Sequence, residues 1–360
     1  MLCITPSAVN HLSLKTDEIF RGYTPSSTHY ISYISNKNVS SCNKNNIYIK
    51  QFSNLSCKAL CLNKPNQSSL TLPSCPLLDK DKFSYYLTGL IEGDGTIVVP
   101  KSKRSEKGRL NYPSIQIAFQ LHDLPLALLI MKELNSGSLA KKKGVSTYIL
   151  TINDYAGLLY LIQIINGKMR TPKIHSFYYL IDWYNSKDSS LKIEKKGLNE
   201  LSLDSTPWLS GFIEAEGHFS IRTTLKSKNN YPRIECKFEL SQRQVDHKGH
   251  DNGEFLQFIA TYLGTQVKKI RMDRQQPQYR IRTFSLQGNI KLENYLNAFP
   301  LFGVKYLNSL DWFKVLYLFK LGKFDHSVNI ENVKKIKLNM NDKRKTFTWN
   351  HLNNFYKLGG

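Results

Sequence analysis

From Asp79 onward the chain alternates between two hydrophobic periods. Phe83, Leu87, Leu90 and Ile91 fall on one helical face, as do Trp208, Leu209, Phe212 and Ile213 further along. Thr206-Pro207 marks a helix start before the second set, and Gly95 and Gly217 fit C′ helix stops. The period then changes to two. Over 218–226, Phe219, Ile221 and Leu225 oppose His218, Ser220, Arg222 and Lys226; over 233–241, Ile234, Cys236, Phe238 and Leu240 oppose Arg233, Glu235, Lys237 and Glu239. Amphipathic helices follow over 124–134 and 255–263, further strands over 148–152 and 279–286, then closing helices. The expectation is an α+β fold with antiparallel sheets, built from an αββαββα unit used twice. Residues 1–78 carry little such periodicity and are rich in Ser and Asn, which reads as a poorly ordered leader or a segment derived from upstream coding sequence.

The two units are copies. Residues 87–95 read LTGLIEGDG and residues 209–217 read LSGFIEAEG, with five of nine positions identical and the rest conservative. YPSIQIAFQL at 112–121 is echoed by YPRIECKFEL at 231–240, and Lys173 before Leu180-Ile-Asp-Trp183 by Lys305 before Leu310-Asp-Trp312. Three echoes in the same order indicate an internal duplication. The units span 79–185 and 206–340, joined by a polar linker at 186–205 and followed by a basic tail at 341–360.

The repeated helix has an unusual surface. Gly89 with Gly93, and Gly211 with Ala215, leave one face of each helix nearly bare, so two such faces can bring their backbones together. Each helix also ends in an acid, Asp94 or Glu216, where the helix dipole disfavours negative charge and unpaired carbonyls accumulate. Pairing the bare faces would gather both carboxylates at one end of the seam. Such an oxygen-rich pocket suits a hard cation, most naturally Mg²⁺, and a metal held there suits phosphodiester hydrolysis. Glu92 and Glu214 are repeated as well; their positions are expected to be solvated.

Composition adds a partner. The 50 Lys and Arg against 28 Asp and Glu leave a net charge of +22, which points to a polyanion. No apolar run approaches the length of a membrane span, so a membrane partner is not expected. The 29 Asn and 38 Lys beside only 9 Ala suggest an A/T-rich coding genome such as an organelle's, and no cleavable import signal is evident near the N-terminus. Of the six cysteines, Cys57, Cys61 and Cys75 lack a fourth ligand for zinc and are read as incidental thiols.

With these residues in view, the two motifs resemble those of the LAGLIDADG homing endonucleases, specifically the two-motif, single-chain members encoded in organellar introns of the fungal mitochondrial kind. The resemblance covers about residues 79–340. It implies a monomer with pseudo-twofold symmetry, two four-stranded sheets forming a saddle on double-stranded DNA, and a staggered cut across the minor groove. It also implies metal ligation by Asp94 and Glu216 with the carbonyls of Gly93 and Ala215. Lys173 and Lys305 would lie near the scissile phosphates. Gln242 would orient water, with Gln120 as its first-unit counterpart, where the register is open. A β-ribbon fits the major groove. Lys101, Lys103, Arg104 and Arg109 in the first long turn are therefore candidate DNA contacts, as are Arg222, Lys226, Lys228, Arg233, Lys237, Arg280 and Arg282 on strands and turns of the second unit. The charges over 141–143 and 268–271 read equally well as plain turn charges. The rival expectation is an RNA maturase that assists splicing of its group I intron, with or without DNA cleavage; a degenerate DNA-binding protein is disfavoured because both acids are present.

Overall fold

The computed structural model describes residues 78–224, 233–323 and 327–357; the leader up to residue 77, Lys226 and Lys228 lie outside the described residues. The first unit comprises α1 (Asp79–Asp94), β1 (Gly95–Val98), β2 (Ser114–Gln120), α2 (Leu124–Leu134), β3 (Ser138–Lys141), β4 (Thr147–Ile152), α3 (Tyr155–Ile165) and α4 (Ile174–Lys187). The second repeats it as α5 (Trp208–Glu216), β5 (Gly217–Thr224), β6 (Arg233–Arg243), α6 (Gly253–Tyr262), β7 (Val267–Ile270), β8 (Gln278–Arg282), α7 (Leu286–Ala298) and α8 (Val304–Lys320), with α9 (Ser327–Lys337) appended. The duplicated α+β reading holds, but each unit closes with two helices rather than one. Leu286, expected at a strand end, instead opens α7, because the Ser285 side chain accepts a hydrogen bond from the Gly288 amide and caps the helix.

Both sheets are antiparallel and share one topology, β1-β2-β4-β3 and β5-β6-β8-β7. Each buries one face beneath its helices and leaves the other open, as strand alternation requires. Ile115, Ile117, Phe119, Leu150 and Ile152 line the first core; Phe219, Phe238, Leu240 and Ile281 line the second. At about 1.5–3 kcal/mol per buried large apolar side chain, each unit holds its own sheet to its own helices. The chain then crosses between units. Tyr85 of α1 packs in the second core, while Phe302, Phe355 and Tyr356 pack in the first. The last two belong to the segment expected to be a basic tail; they anchor it against Phe83 and Tyr86 of α1.

The seam between units is α1 against α5. A Cβ added at Gly89 would lie 2.0 Å from the carbonyl oxygen of Trp208, and one at Gly211 only 1.9 Å from that of Tyr86. A Cβ at Gly93 would meet the Ala215 Cβ at 2.2 Å. The helices run side by side with backbones in direct contact, and their C-termini meet at the same end. Gly95 and Gly217 do not adopt the left-handed conformation expected of C′ glycines; both are extended and lead straight into β1 and β5. Their smallness serves clearance, since a Cβ at Gly95 would sit 2.5 Å from the Ile91 carbonyl oxygen.

Candidate active site and nucleic-acid interface

Two cavities flank the shared end of the seam, of about 360 and 500 Å³. The first is lined by Asp94 and Gln120 of the first unit together with Ala215 and Lys305 of the second. The second mirrors it, with Glu216 and Gln242 of the second unit beside Gly93 and Lys173 of the first. Each cavity therefore takes its acid and glutamine from one unit and its lysine from the other. Asp94 opens to the cavity but is closely surrounded by protein. Desolvation, and then the charge of Glu216, push its carboxyl up to about 6, against the pull of Lys305 and Lys173. The seam brings the two acids to one end: a Cβ at Gly93, the residue before Asp94, would lie 3.4 Å from Glu216 Cγ.

The lysines reach the helix ends through the orphan carbonyls. Lys173 Nζ donates to the carbonyls of Ile91 at 2.9 Å, Gly93 at 3.3 Å and Gly95 at 2.6 Å. Lys305 Nζ donates to Ile213 at 3.4 Å and also to Ala215. Cations at helix C-termini complement the dipole, and these two also satisfy carbonyls that would otherwise be unpaired. Burial lowers the pKa of both ammoniums, opposed by the surrounding carboxylates. Neither lysine is a freely solvated charge at a helix start.

Glu92 and Glu214 correct the sequence expectation most sharply. Both are buried. Glu92 accepts hydrogen bonds from the amides of Arg170 and Thr171, the Thr171 hydroxyl and the Trp208 indole. Glu214 accepts from the amides of Phe302 and Gly303 and from the Tyr86 hydroxyl. Each ties its motif helix to the two amides that lie three and two residues before a lysine, Arg170 and Thr171 before Lys173, Phe302 and Gly303 before Lys305, and so helps to fix the lysine's position. Gly303 leaves room for this: a Cβ there would lie 2.5 Å from Glu214 Oε1 and 2.8 Å from Asp123 Oδ1. Asp123 and Asp246, which sequence reasoning missed, also line the two cavities.

Sheet register decides the open question at Gln120. Gly95 pairs with Ile117, and Gly217 with Leu240, so Gln242 corresponds to Phe119 and Gln120 to Arg243. Gln120 does line the Asp94 cavity, one position out of register with Gln242.

As a metal centre, the donor set is all oxygen: two mutually repelling carboxylates beside carbonyls. Among the described residues no group of three or more His, Cys, Asp and Glu side chains has metal-holding geometry. A divalent cation held across the seam would take these two carboxylates and the neighbouring carbonyls as its protein ligands, and its positive charge would offset theirs. The carbonyls of Gly93 and Ala215 already accept from lysine, but a carbonyl oxygen has a second lone pair.

Of the expected DNA contacts, Lys101, Lys103, Arg104 and Arg109 are exposed on the β1–β2 connection, where an Arg104–Leu110 bridge shapes the turn. Arg222, Arg233, Lys237, Arg280 and Arg282 lie on the open face of the second sheet. Three of them are not free cations. Arg233 and Lys237 pair with Glu235, and Arg282 with Glu239 at 2.6 Å. Lys268, read as a plain turn charge, is on β7 opposite Arg280 of that face. Arg243 also joins the open face and was missed, although its strand position one residue beyond Gln242 could have revealed it.

Among known proteins, a sequence profile described as LAGLIDADG endonuclease matches residues 87–184 and 209–316. The chain is 31% identical over 312 residues to the intron-encoded DNA endonuclease aI3 of Saccharomyces cerevisiae, covering 78% of this chain and 74% of that protein. It is 27% identical over 255 residues to an uncharacterized cox1 intron-2 protein of Schizosaccharomyces pombe, covering 71% of each. The crystal structure of the homing endonuclease I-GzeII with its DNA target has the same fold, with a TM-score of 0.56 and 21% identity over 73% of this chain and 99% of that one. Two profile matches that coincide with the two structural units, and an identity that spans most of both chains, make this protein a member of the LAGLIDADG endonuclease family.

Proposed function

We propose that the chain is a site-specific double-strand DNA endonuclease that initiates intron homing by hydrolysing one phosphodiester on each strand, leaving a staggered end. The observation that carries this reading is the pair of acids, Asp94 and Glu216, gathered by a glycine seam between two cavities that each hold a lysine and a glutamine. Asp94 and Glu216 would hold Mg²⁺, which when bound lowers the pKa of water and neutralises developing charge on phosphate oxygens. Lys173 and Lys305 supply positive charge beside each phosphate, and Gln242 orients the attacking water by hydrogen bonding. The open sheet faces and the basic β1–β2 turn hold the duplex. Both motif helices belong to one chain, which supports a monomer. The cox1 intron relative and the A/T-rich residue usage support mitochondrial action.

The test is a cleavage assay on the intron-less host sequence with Asp94→Asn/Glu216→Gln. Binding without cutting is expected, and retained double-strand cleavage by the double variant defeats the assignment. A wild-type chain that splices intron RNA but cuts no DNA would instead be a maturase.

A further inference from the structure

The two open sheet faces are chemically unlike, although the units are copies. On the first sheet one cross-strand row reads Thr96, Gln116, Thr151 and Ser138. The next reads Ala118, Ile149 and Ala140, and the edges add Val98 with Ser114 and Gln120 with Thr147. Among the described residues none of these is ionisable; Lys141, at the end of β3, has the parity of the core-packed Leu139. On the second sheet the equivalent rows read His218, Glu239 and Arg282; then Ser220 and Lys237; then Arg222 and Glu235. A fourth row joins Ser241, Arg280 and Lys268.

These two surfaces select different base pairs. In the major groove thymine shows a methyl group that apolar side chains and the Thr methyl contact, and Gln pairs with adenine N6 and N7. Arg and Lys instead pair with guanine O6 and N7, and Glu accepts from cytosine N4. The neutral face itself, with two glutamines and several methyl-bearing side chains, has no strong partner for guanine; the cations of this unit, Lys101, Lys103, Arg104 and Arg109, lie beyond the face on the β1–β2 turn. The second face sets Arg282 against Glu239 as an ion pair and places Arg222 opposite Glu235, so donor and acceptor stand side by side, the complement of a G·C pair. The pairing also sets the cost of error. Where a base fails to replace one partner of Arg282–Glu239, a charge is desolvated without compensation, whereas a thymine methyl missing beneath the first sheet forfeits only packing.

We infer that the target is chemically lopsided: an A·T-rich half under the first sheet, and a half under the second sheet whose G·C pairs are read by Arg222, Arg280 and Arg282 with Glu235 and Glu239. This rests on the DNA-endonuclease reading above. The experiment is cleavage by the full chain, with Mg²⁺, of a duplex library randomised across both half-sites, so that no host sequence sets the composition. The cleaved ends are then sequenced. One half should be enriched in A·T and the other should hold fixed G·C positions. Arg282→Gln should relax one of those G·C positions by about 10- to 100-fold and leave the A·T half unchanged. Cleaved pools whose halves have the same composition overturn the inference and leave the nuclease reading standing, and so does Arg282→Gln relaxation confined to the A·T half. A library in which no member is cut overturns the nuclease reading and this inference with it. The wild-type pool decides the matter even if the variant fails to fold.

Discussion

Lys173 Nζ lies 2.6 Å from the carbonyl oxygen of Gly95, the residue that follows the candidate ligand Asp94, yet it lines the cavity of Glu216. The lysine thus holds the end of its own motif helix while presenting its charge to the site of the other acid. Lys305 does the same in reverse, bound to Ala215 and lining the Asp94 cavity. Each lysine should therefore serve one DNA strand. Lys305→Met keeps the apolar stem and removes the charge. On a duplex labelled separately on each strand, it should slow one strand at least ~10-fold more than the other, since loss of one charge-stabilising donor costs about 10²–10³ in rate. Lys173→Met should show the opposite bias. Equal slowing of both strands by either variant contradicts the composite cavities.

The seam tolerates no side chain at Gly211. An added Cβ would meet the Tyr86 carbonyl oxygen at 1.9 Å and the Leu90 amide at 2.9 Å, and both are backbone atoms in the buried stretch of α1. Gly211→Val should lower stability by about 3 kcal/mol or more, the upper range for overpacking, because neither helix can shift without opening both cores. Gly249 is the control. Nothing lies within 4 Å of its Cβ position, and only its φ of +90° resists substitution, so Gly249→Ala should cost about 1 kcal/mol. Urea unfolding of the three proteins measures the difference; equal midpoints for wild type and Gly211→Val would show that the helices are not in backbone contact.

How much of this is legible in sequence follows from where the partners lie. The seam and the two acids are readable because small residues four apart act locally and the duplication marks them twice. The clamps at Glu92 and Glu214 are not, because the first backbone amides that donate to them lie 78 and 88 residues away and carry no residue identity, while the side-chain donors Thr171, Trp208 and Tyr86 are just as remote in the chain. The second sheet's open face is readable from its alternating charges, but the ion pairs of Glu235 and Glu239 depend on side-chain reach across strands. The strap role of Phe355 and Tyr356 is hidden because the pair has no periodic context; its partners Phe83 and Tyr86 are some 270 residues earlier.

Removing the Glu92 carboxylate should unlock Lys173. Glu92→Ala strips acceptors from the Arg170 and Thr171 amides, the Thr171 hydroxyl and the Trp208 indole, all in a buried setting. At roughly 1–3 kcal/mol for each donor left without a partner, a net loss of at least ~3 kcal/mol is expected. Glu92→Gln retains one acceptor oxygen and should lose less. If the carboxylate positions Lys173, Glu92→Gln should also carry the strand bias of Lys173→Met in milder form. Full and balanced cleavage by Glu92→Gln would leave the glutamate with a purely structural part.

Glu214 should make stability depend on pH in an uncommon direction. Burial first, and then the charge of Asp123, push its carboxyl up to about 7 from an ordinary 4.5, while the amides of Gly303 and Phe302 and the Lys305 ammonium pull it down. The folded protein then holds a proton at pH values where the unfolded chain has lost it. This contribution is fully present below pH 4.5 and disappears as pH rises through 7. It amounts to about 3 kcal/mol at most. Burial raises the carboxyls of Asp94, Asp123 and Glu92 in the same sense. Urea unfolding without metal or DNA should therefore show stability increasing as pH falls from 8 to 5. In Glu214→Gln, whose side chain does not titrate, the increase should be visibly flatter. A variant with the wild-type slope would mean that Glu214 is ionised in the folded protein throughout this range, held so by the two amides and Lys305.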